Sequence, residues 1–149
     1  MRAVVQRVGR CKICVDDVIV SSCGRGLLIY LGVGIGDSRT NADFIVAKSS
    51  SLRIFEDADG QMNLSASDVD AEICVVSQFT LYANTRKGRR PSFTAAADPV
   101  LAHDLYDYVI EAFRSSGYVV ATGRFGAHML VEYVNDGPVT IILDSDNSG

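Results

Sequence analysis

Glu72-Ile73-Cys74-Val75-Val76-Ser77-Gln78-Phe79-Thr80-Leu81-Tyr82 is the stretch on which the fold turns. Its first half, Ile73-Cys74-Val75-Val76, is continuously apolar, and a run of that length reads as a strand covered on both faces. The second half abruptly carries Ser, Gln and Thr. If the strand continues to Tyr82, alternation places Gln78 and Thr80 on one face and Ser77 and Phe79 on the other. Two readings fit this pattern equally. The polar groups satisfy nearby backbone as the strand surfaces, or they form a site at its end.

Working outward, the first third of the chain reads as strands over residues 3–8, 12–15, 18–21 and 27–33, with Asp16-Asp17 joining the middle two as a hairpin. Closely spaced glycines, Gly24, Gly26, Gly32, Gly34 and Gly36, mark bends in a curved sheet. Gly32-Val33-Gly34-Ile35-Gly36 does not complete a dinucleotide-binding G-x-G-x-x-G, because Asp37 stands in the third glycine's place. A helix is predicted over 38–52, with Ser38 as cap and Ala42, Ile45, Val46, Ser49 and Leu52 as its inner stripe. Arg53-Ile54-Phe55 reads as a short strand before the turn Asp57-Ala58-Asp59-Gly60.

Asp98-Pro99 opens a second helix with a capping carboxylate and a proline in the first helical position. Leu101, Leu105, Tyr108, Val109, Ala112 and Phe113 form its apolar stripe, and Gly117 stops it. Strands at 129–134 and 139–143 flank Asn135-Asp136-Gly137-Pro138, whose Asp-Gly pair is a hairpin signal. Pro138 removes a donor where the second strand begins. Residues 144–149 read as a frayed polar tail. The expected fold is α+β: a single domain over 1–149, built of curved, largely antiparallel, barrel-like layers with two main helices on one side.

A chain of 149 residues can bury one continuous core without disulfide or metal staples. Its net charge of -4 excludes a protein that coats nucleic acid by bulk positive charge. Any contact with RNA must be local, and Arg86-Lys87-Gly88-Arg89-Arg90 supplies the place. A charge run is usually a solvated loop, but this one directly follows the polar strand end, so contact with phosphates at one RNA end is the better reading. No apolar stretch is long enough for a membrane span and the amino terminus lacks a secretory core, so the chain reads as cytoplasmic.

Cys11, Cys14, Cys23 and Cys74 do not form a zinc signature, since only Cys11 and Cys14 are closely spaced and alternation points them to opposite faces. No metal and no cofactor are expected, and the cysteines read as reduced, mostly buried thiols. A Ser or Thr nucleophile would need an activating base. The two histidines, His103 and His128, have no local link to Ser77 or Thr80. Hydrolysis at this strand end would therefore rest on backbone N–H groups stabilising an oxyanion and on positioning of a reactive ester.

Ser77-Gln78-Phe79-Thr80-Leu81, Lys87-Gly88-Arg89-Arg90-Pro91-Ser92-Phe93 and Asn135-Asp136-Gly137-Pro138-Val139-Thr140 resemble the signature segments of the D-aminoacyl-tRNA deacylases. The similarity extends to the opening Met1-Arg2-Ala3-Val4-Val5-Gln6-Arg7-Val8, to Arg53-Ile54-Phe55 and to Met62-Asn63-Leu64. It implies a hydrolase for chiral proofreading, acting on the 3′ end of aminoacyl-tRNA, and a homodimer with active sites at the subunit interface. Ser77, Gln78, Phe79 and Thr80 would receive the terminal adenosine. Gly137-Pro138, in cis, would enter the other subunit's pocket and exclude an L side chain, while glycine would still be admitted. Met129, Arg86, Lys87, Arg89 and Arg90 complete the expected substrate contacts. Thr80 is the natural nucleophile candidate. The lack of a base favours assistance by the adenosine 2′-hydroxyl, with Gln78 and Thr80 positioning and N–H groups near Phe79 as oxyanion donors. Tyr30, Tyr133 and the cysteine-rich start depart from the family pattern, and His128 reads as structural or as an edge of the substrate site.

Overall fold

The computed structural model describes residues 1–86 and 88–147. Its first strand, β1 (Arg2–Val15), is the spine of the sheet. One edge of β1 pairs antiparallel with β2 (Val18–Cys23) and with β3 (Gly26–Gly32). The other edge pairs antiparallel with β8 (Leu130–Asp144). Beyond β3, the strands β6 (Glu72–Ser77) and β7 (Val120–Thr122) add in parallel, giving the order β2-β1-β3-β6-β7. The sheet is therefore mixed, and it curls toward closure where Ser21 Oγ on β2 donates to the Thr122 carbonyl on β7, 2.6 Å away. A two-stranded ribbon, β4 (Phe55–Glu56) with β5 (Met62–Leu64), lies apart from it.

Side-chain alternation divides the core in two. Ala3, Val5, Leu27, Ile29, Leu31, Ile73 and Val75 face outward onto the helices. Val8, Cys11, Ile13, Cys23, Leu28, Cys74, Val76 and Ala121 face into the curl. β3 and β6 thus contribute to both clusters, which is why their sequences are apolar without interruption. Each large apolar side chain so buried contributes roughly 1.5–3 kcal/mol relative to exposure.

Both helices pack on the outer face. In α1 (Arg39–Ser51) the buried residues are Ala42, Ile45, Val46 and Ser49, as the periodicity predicts. Ser38 caps it, its backbone N–H donating to Asn41 Oδ1 at 2.9 Å. In α2 (Pro99–Ser115) the Asp98 carboxylate accepts from the N–H groups of Val100 and Leu101, at 3.0 and 3.1 Å. Its buried face is Leu105, Tyr106, Val109, Ile110 and Phe113. Tyr108, expected inside, is only partly buried, and its hydroxyl donates to Asp43 at 2.7 Å. Gly117, with φ +91°, ends the helix.

Several sequence expectations change. The strand begun at Glu72 ends at Ser77, and Phe79–Tyr82 form a 3-10 turn, so alternation does not govern Gln78 and Thr80. The two strands expected at 3–8 and 12–15 are one, and so are those at 129–134 and 139–143. Asn135-Asp136-Gly137-Pro138 is no hairpin turn. β8 stays paired with the same β1 on both sides of it, Asn135 opposite Val8 and Thr140 opposite Gln6, and the extra residues bulge out of the ladder. The expected short strand at Arg53-Ile54-Phe55 begins only at Phe55.

The expected frayed tail also fails at its start. Ser145 is buried, its N–H donates to the Met1 carbonyl at 2.9 Å and its hydroxyl accepts from the Met1 ammonium at 2.5 Å. Residues 148 and 149 of that expectation lie outside the described residues. Among the described residues no helix is long and apolar enough to cross a membrane.

Candidate active site

The site begins where β6 leaves the sheet. The Gln78 N–H makes the last ladder-like bond, to the Leu31 carbonyl at 2.7 Å, and the chain then winds into the 3-10 turn. Glycine lets this turn lie against β3. A Cβ on Gly32 would sit 3.0 Å from both the Gln78 carbonyl oxygen and Leu81 Cβ, and one on Gly34 would sit 2.6 Å from the Tyr82 ring. Tyr82 is buried, and its hydroxyl lies 3.4 Å from Asp37 Oδ2. Burial chiefly, and next the nearby Asp37 charge, push the Tyr82 phenol above its ordinary range, so the hydroxyl stays protonated as a donor. Asp37 also accepts from the Gly34 N–H at 2.6 Å and pairs with the Met1 ammonium. One buried carboxylate thus anchors the amino terminus, the loop after β3 and the far end of the turn.

This geometry opens Ser77, Gln78 and Phe79 onto a cavity of about 600 Å³. Phe93, Ala97, Phe125, His128 and Met129 form other parts of its wall. Phe79 is 55 % exposed and meets Phe93 edge to face, with ring centroids 5.0 Å apart. Thr80 is exposed beside the cavity, and its Oγ1 accepts from Gln78 Nε2. The N–H groups of Phe79 and Thr80 open the turn, where backbone donors have no intrahelical acceptor.

Neither histidine is hydrogen-bonded to this group among the described residues. His128 is on the wall, yet no hydrogen bond joins it to Ser77, Gln78 or Thr80 among the described residues. His103 stacks on Phe125 at 4.3 Å, nearly parallel, and faces Asp107 at 3.6 Å.

Other expected site residues lie elsewhere. Gly137 and Pro138 are not on the cavity wall of their own chain. Their peptide bond is cis, and Gly137 has φ +124°. Beneath them lies the buried Arg7: Nε is 3.3 Å from the Asp136 carbonyl and 3.1 Å from its carboxylate, and Nη1 donates to the Ile54 carbonyl at 2.6 Å. A Cβ on Gly137 would lie 2.7 Å from Val139 Cγ2 and 3.2 Å from Arg7 Nη2. Sequence reasoning gave Arg7 no role, because its partners are 47 and 129 residues away.

Arg86, Arg89 and Arg90 are exposed on a loop closed by paired backbone bonds between Asn84 and Ser92, of 2.7 and 3.0 Å. None of the three forms an ion pair with another described residue. Lys87 lies outside the described residues.

The sequence match decides what this arrangement is related to. The family model for D-Tyr-tRNA(Tyr) deacylase matches residues 4–144, which include the 3-10 turn, the arginine loop and the Gly137-Pro138 bulge. The chain belongs to the D-Tyr-tRNA(Tyr) deacylase family. It is 53 % identical over 145 residues to a D-aminoacyl-tRNA deacylase of Thermotoga petrophila, covering 97 % of each chain. To the Clostridioides difficile protein of the same name it is 51 % identical over 148 residues, covering 99 % of each.

Among solved structures, a protein titled c-Myc DNA Unwinding Element Binding Protein superposes with a TM-score of 0.91 at 39 % identity, over 97 % of this chain and 98 % of that one. A second, titled as a probable eukaryotic D-amino acid tRNA deacylase, reaches a TM-score of 0.76 at 18 % identity and shares the fold, over 95 % of this chain and 97 % of that one.

Proposed function

We propose that this chain hydrolyses the ester between a D-amino acid, or glycine, and the 3′-terminal adenosine of tRNA, and that it rejects L-aminoacyl-tRNA. Water adds at the ester carbonyl, the bond to the adenosine 3′-oxygen breaks, and that oxygen takes up a proton. The observation that carries this reading is the turn at Gln78, which brings an amide, a hydroxyl and two opening N–H groups to the mouth of the cavity, with no histidine hydrogen-bonded to them among the described residues. Such a group suits a substrate that is already a reactive ester. N–H donors near Phe79 stabilise the oxyanion, Gln78 and Thr80 position the adenosine, and its 2′-hydroxyl assists the attack. Arg86, Lys87, Arg89 and Arg90 reach the neighbouring phosphates.

The chirality filter comes from a second copy of the chain. Gly137-Pro138 stands outside its own cavity on an exposed stretch of β8, where Leu130, Tyr133, Val134 and Ile142 also face solvent. A twofold dimer through this face would insert the Gly137-Pro138 backbone into the partner cavity, where its carbonyls hold the substrate amino group and leave no space for an L side chain. The protein works in the cytoplasm, where aminoacyl-tRNA is found.

Release of labelled tyrosine from D-tyrosyl-tRNA and from L-tyrosyl-tRNA tests this reading. Release from the D ester alone is the expected result. Release from both would remove the filter, and release from neither would put an RNA- or DNA-end-binding module in place of the hydrolase.

A further inference from the structure

The curl of the sheet brings together three cysteines from separate strands. Cys11 on β1 and Cys23 on β2 are direct register partners. Cys74 comes from β6, beyond β3, and its Sγ is 3.9 Å from that of Cys11. All three are buried, and their three sulfurs lie within 4.8 Å of one another. The cysteines expected from the sequence to be mostly buried thiols are thus, for these three, gathered into one cluster by the tertiary fold. Cys14, on the opposite face of β1, takes no part.

We propose that Cys11, Cys23 and Cys74 form a binding site for a thiophilic divalent cation of the zinc class. Three thiolates bound at about 2.3 Å around one ion stand roughly 3.8–4.0 Å apart, so the observed spacing needs little adjustment. Charge selects the divalent ion. Three thiolates carry three negative charges, and a monovalent soft ion would leave two of them buried, against one for a divalent ion.

The fourth position has an outlet. Cys11 and Cys23 line a cavity of about 310 Å³, separate from the active site, which admits a water ligand. Arg10 on its rim offsets the remaining charge, while Lys12 is engaged by Glu132 at 2.5 Å. A bound ion would tie the β1-β2 hairpin to β6 across the barrel interior.

Titration of the reduced full chain with Cd(II) under anaerobic conditions reads the site through sulfur-to-metal charge transfer in the ultraviolet. The band should saturate at one equivalent. Cys11→Ser, Cys23→Ser and Cys74→Ser should each weaken binding at least a hundredfold, with Cys14→Ser unchanged. Zinc X-ray absorption on the unaltered protein gives a result independent of how the variants fold, and should find about three sulfur neighbours near 2.3 Å. No saturating band, a band insensitive to Cys74→Ser, or a zinc shell of oxygen and nitrogen alone would overturn the proposal.

Discussion

Gln78 donates its side-chain amide to the Thr80 hydroxyl oxygen. A carboxamide cannot take a proton from that hydroxyl, so the contact orients Thr80 without activating it. Thr80→Ala should therefore keep deacylation of D-tyrosyl-tRNA within about tenfold of the unaltered rate, the scale of one net hydrogen bond. Single-turnover kinetics would measure it. A fall to the uncatalysed rate would restore Thr80 as nucleophile.

Gly137 occupies a backbone region closed to most side chains, and a Cβ there would meet Val139 and Arg7. Gly137→Ala should lower stability by about 1–3 kcal/mol and abolish discrimination or activity. Urea unfolding and parallel D- and L-ester assays separate the two effects.

Arg7→Met keeps the apolar stem but leaves the Ile54 carbonyl without its donor and the Asp136 carbonyl unsupported. Loss of the buried bond alone should cost about 1–3 kcal/mol. Loosening of the bulge should lower kcat/KM for the D ester further than the reduced stability explains, and measurements well below the melting temperature would detect this.

Gly34→Ala places a methyl group against the buried Tyr82 ring. The ring is packed and cannot swing freely, so the 3-10 turn must shift. Deacylation should drop at least tenfold, although residue 34 touches no substrate, and Gly36→Ala should not reproduce this through packing, since a Cβ there meets nothing within 4 Å.

Arg86, Arg89 and Arg90 are free of partner carboxylates among the described residues. Replacing all three with Ala should weaken tRNA binding and flatten its salt dependence by about 0.7 in log–log slope for each phosphate no longer neutralised. Filter binding across a salt series checks this. An unchanged slope would place the phosphates elsewhere.

What the sequence determined by itself was local or periodic. The stripe of α1, the Leu105, Val109 and Phe113 positions of α2, the Asp98 cap, the Gly117 stop and the apolar run in β6 follow from neighbours a few residues apart, and chain order carries that information directly. The segments around Gln78, Arg89 and Gly137 were legible as motifs, and all three lie within the residues that the family model matches.

Tertiary contact decided the rest. The strand at Ser77 becomes a turn that lies against Gly32 at the end of β3 and Gly34 just beyond it, and propensity cannot register those partners. β8 runs through Gly137-Pro138 because a single long β1 pairs with both halves, which overrides the local hairpin signal. Arg7 reaches Ile54 and Asp136, and Cys11, Cys23 and Cys74 converge, only because a curling sheet joins residues whose separation in sequence says nothing about their distance in space.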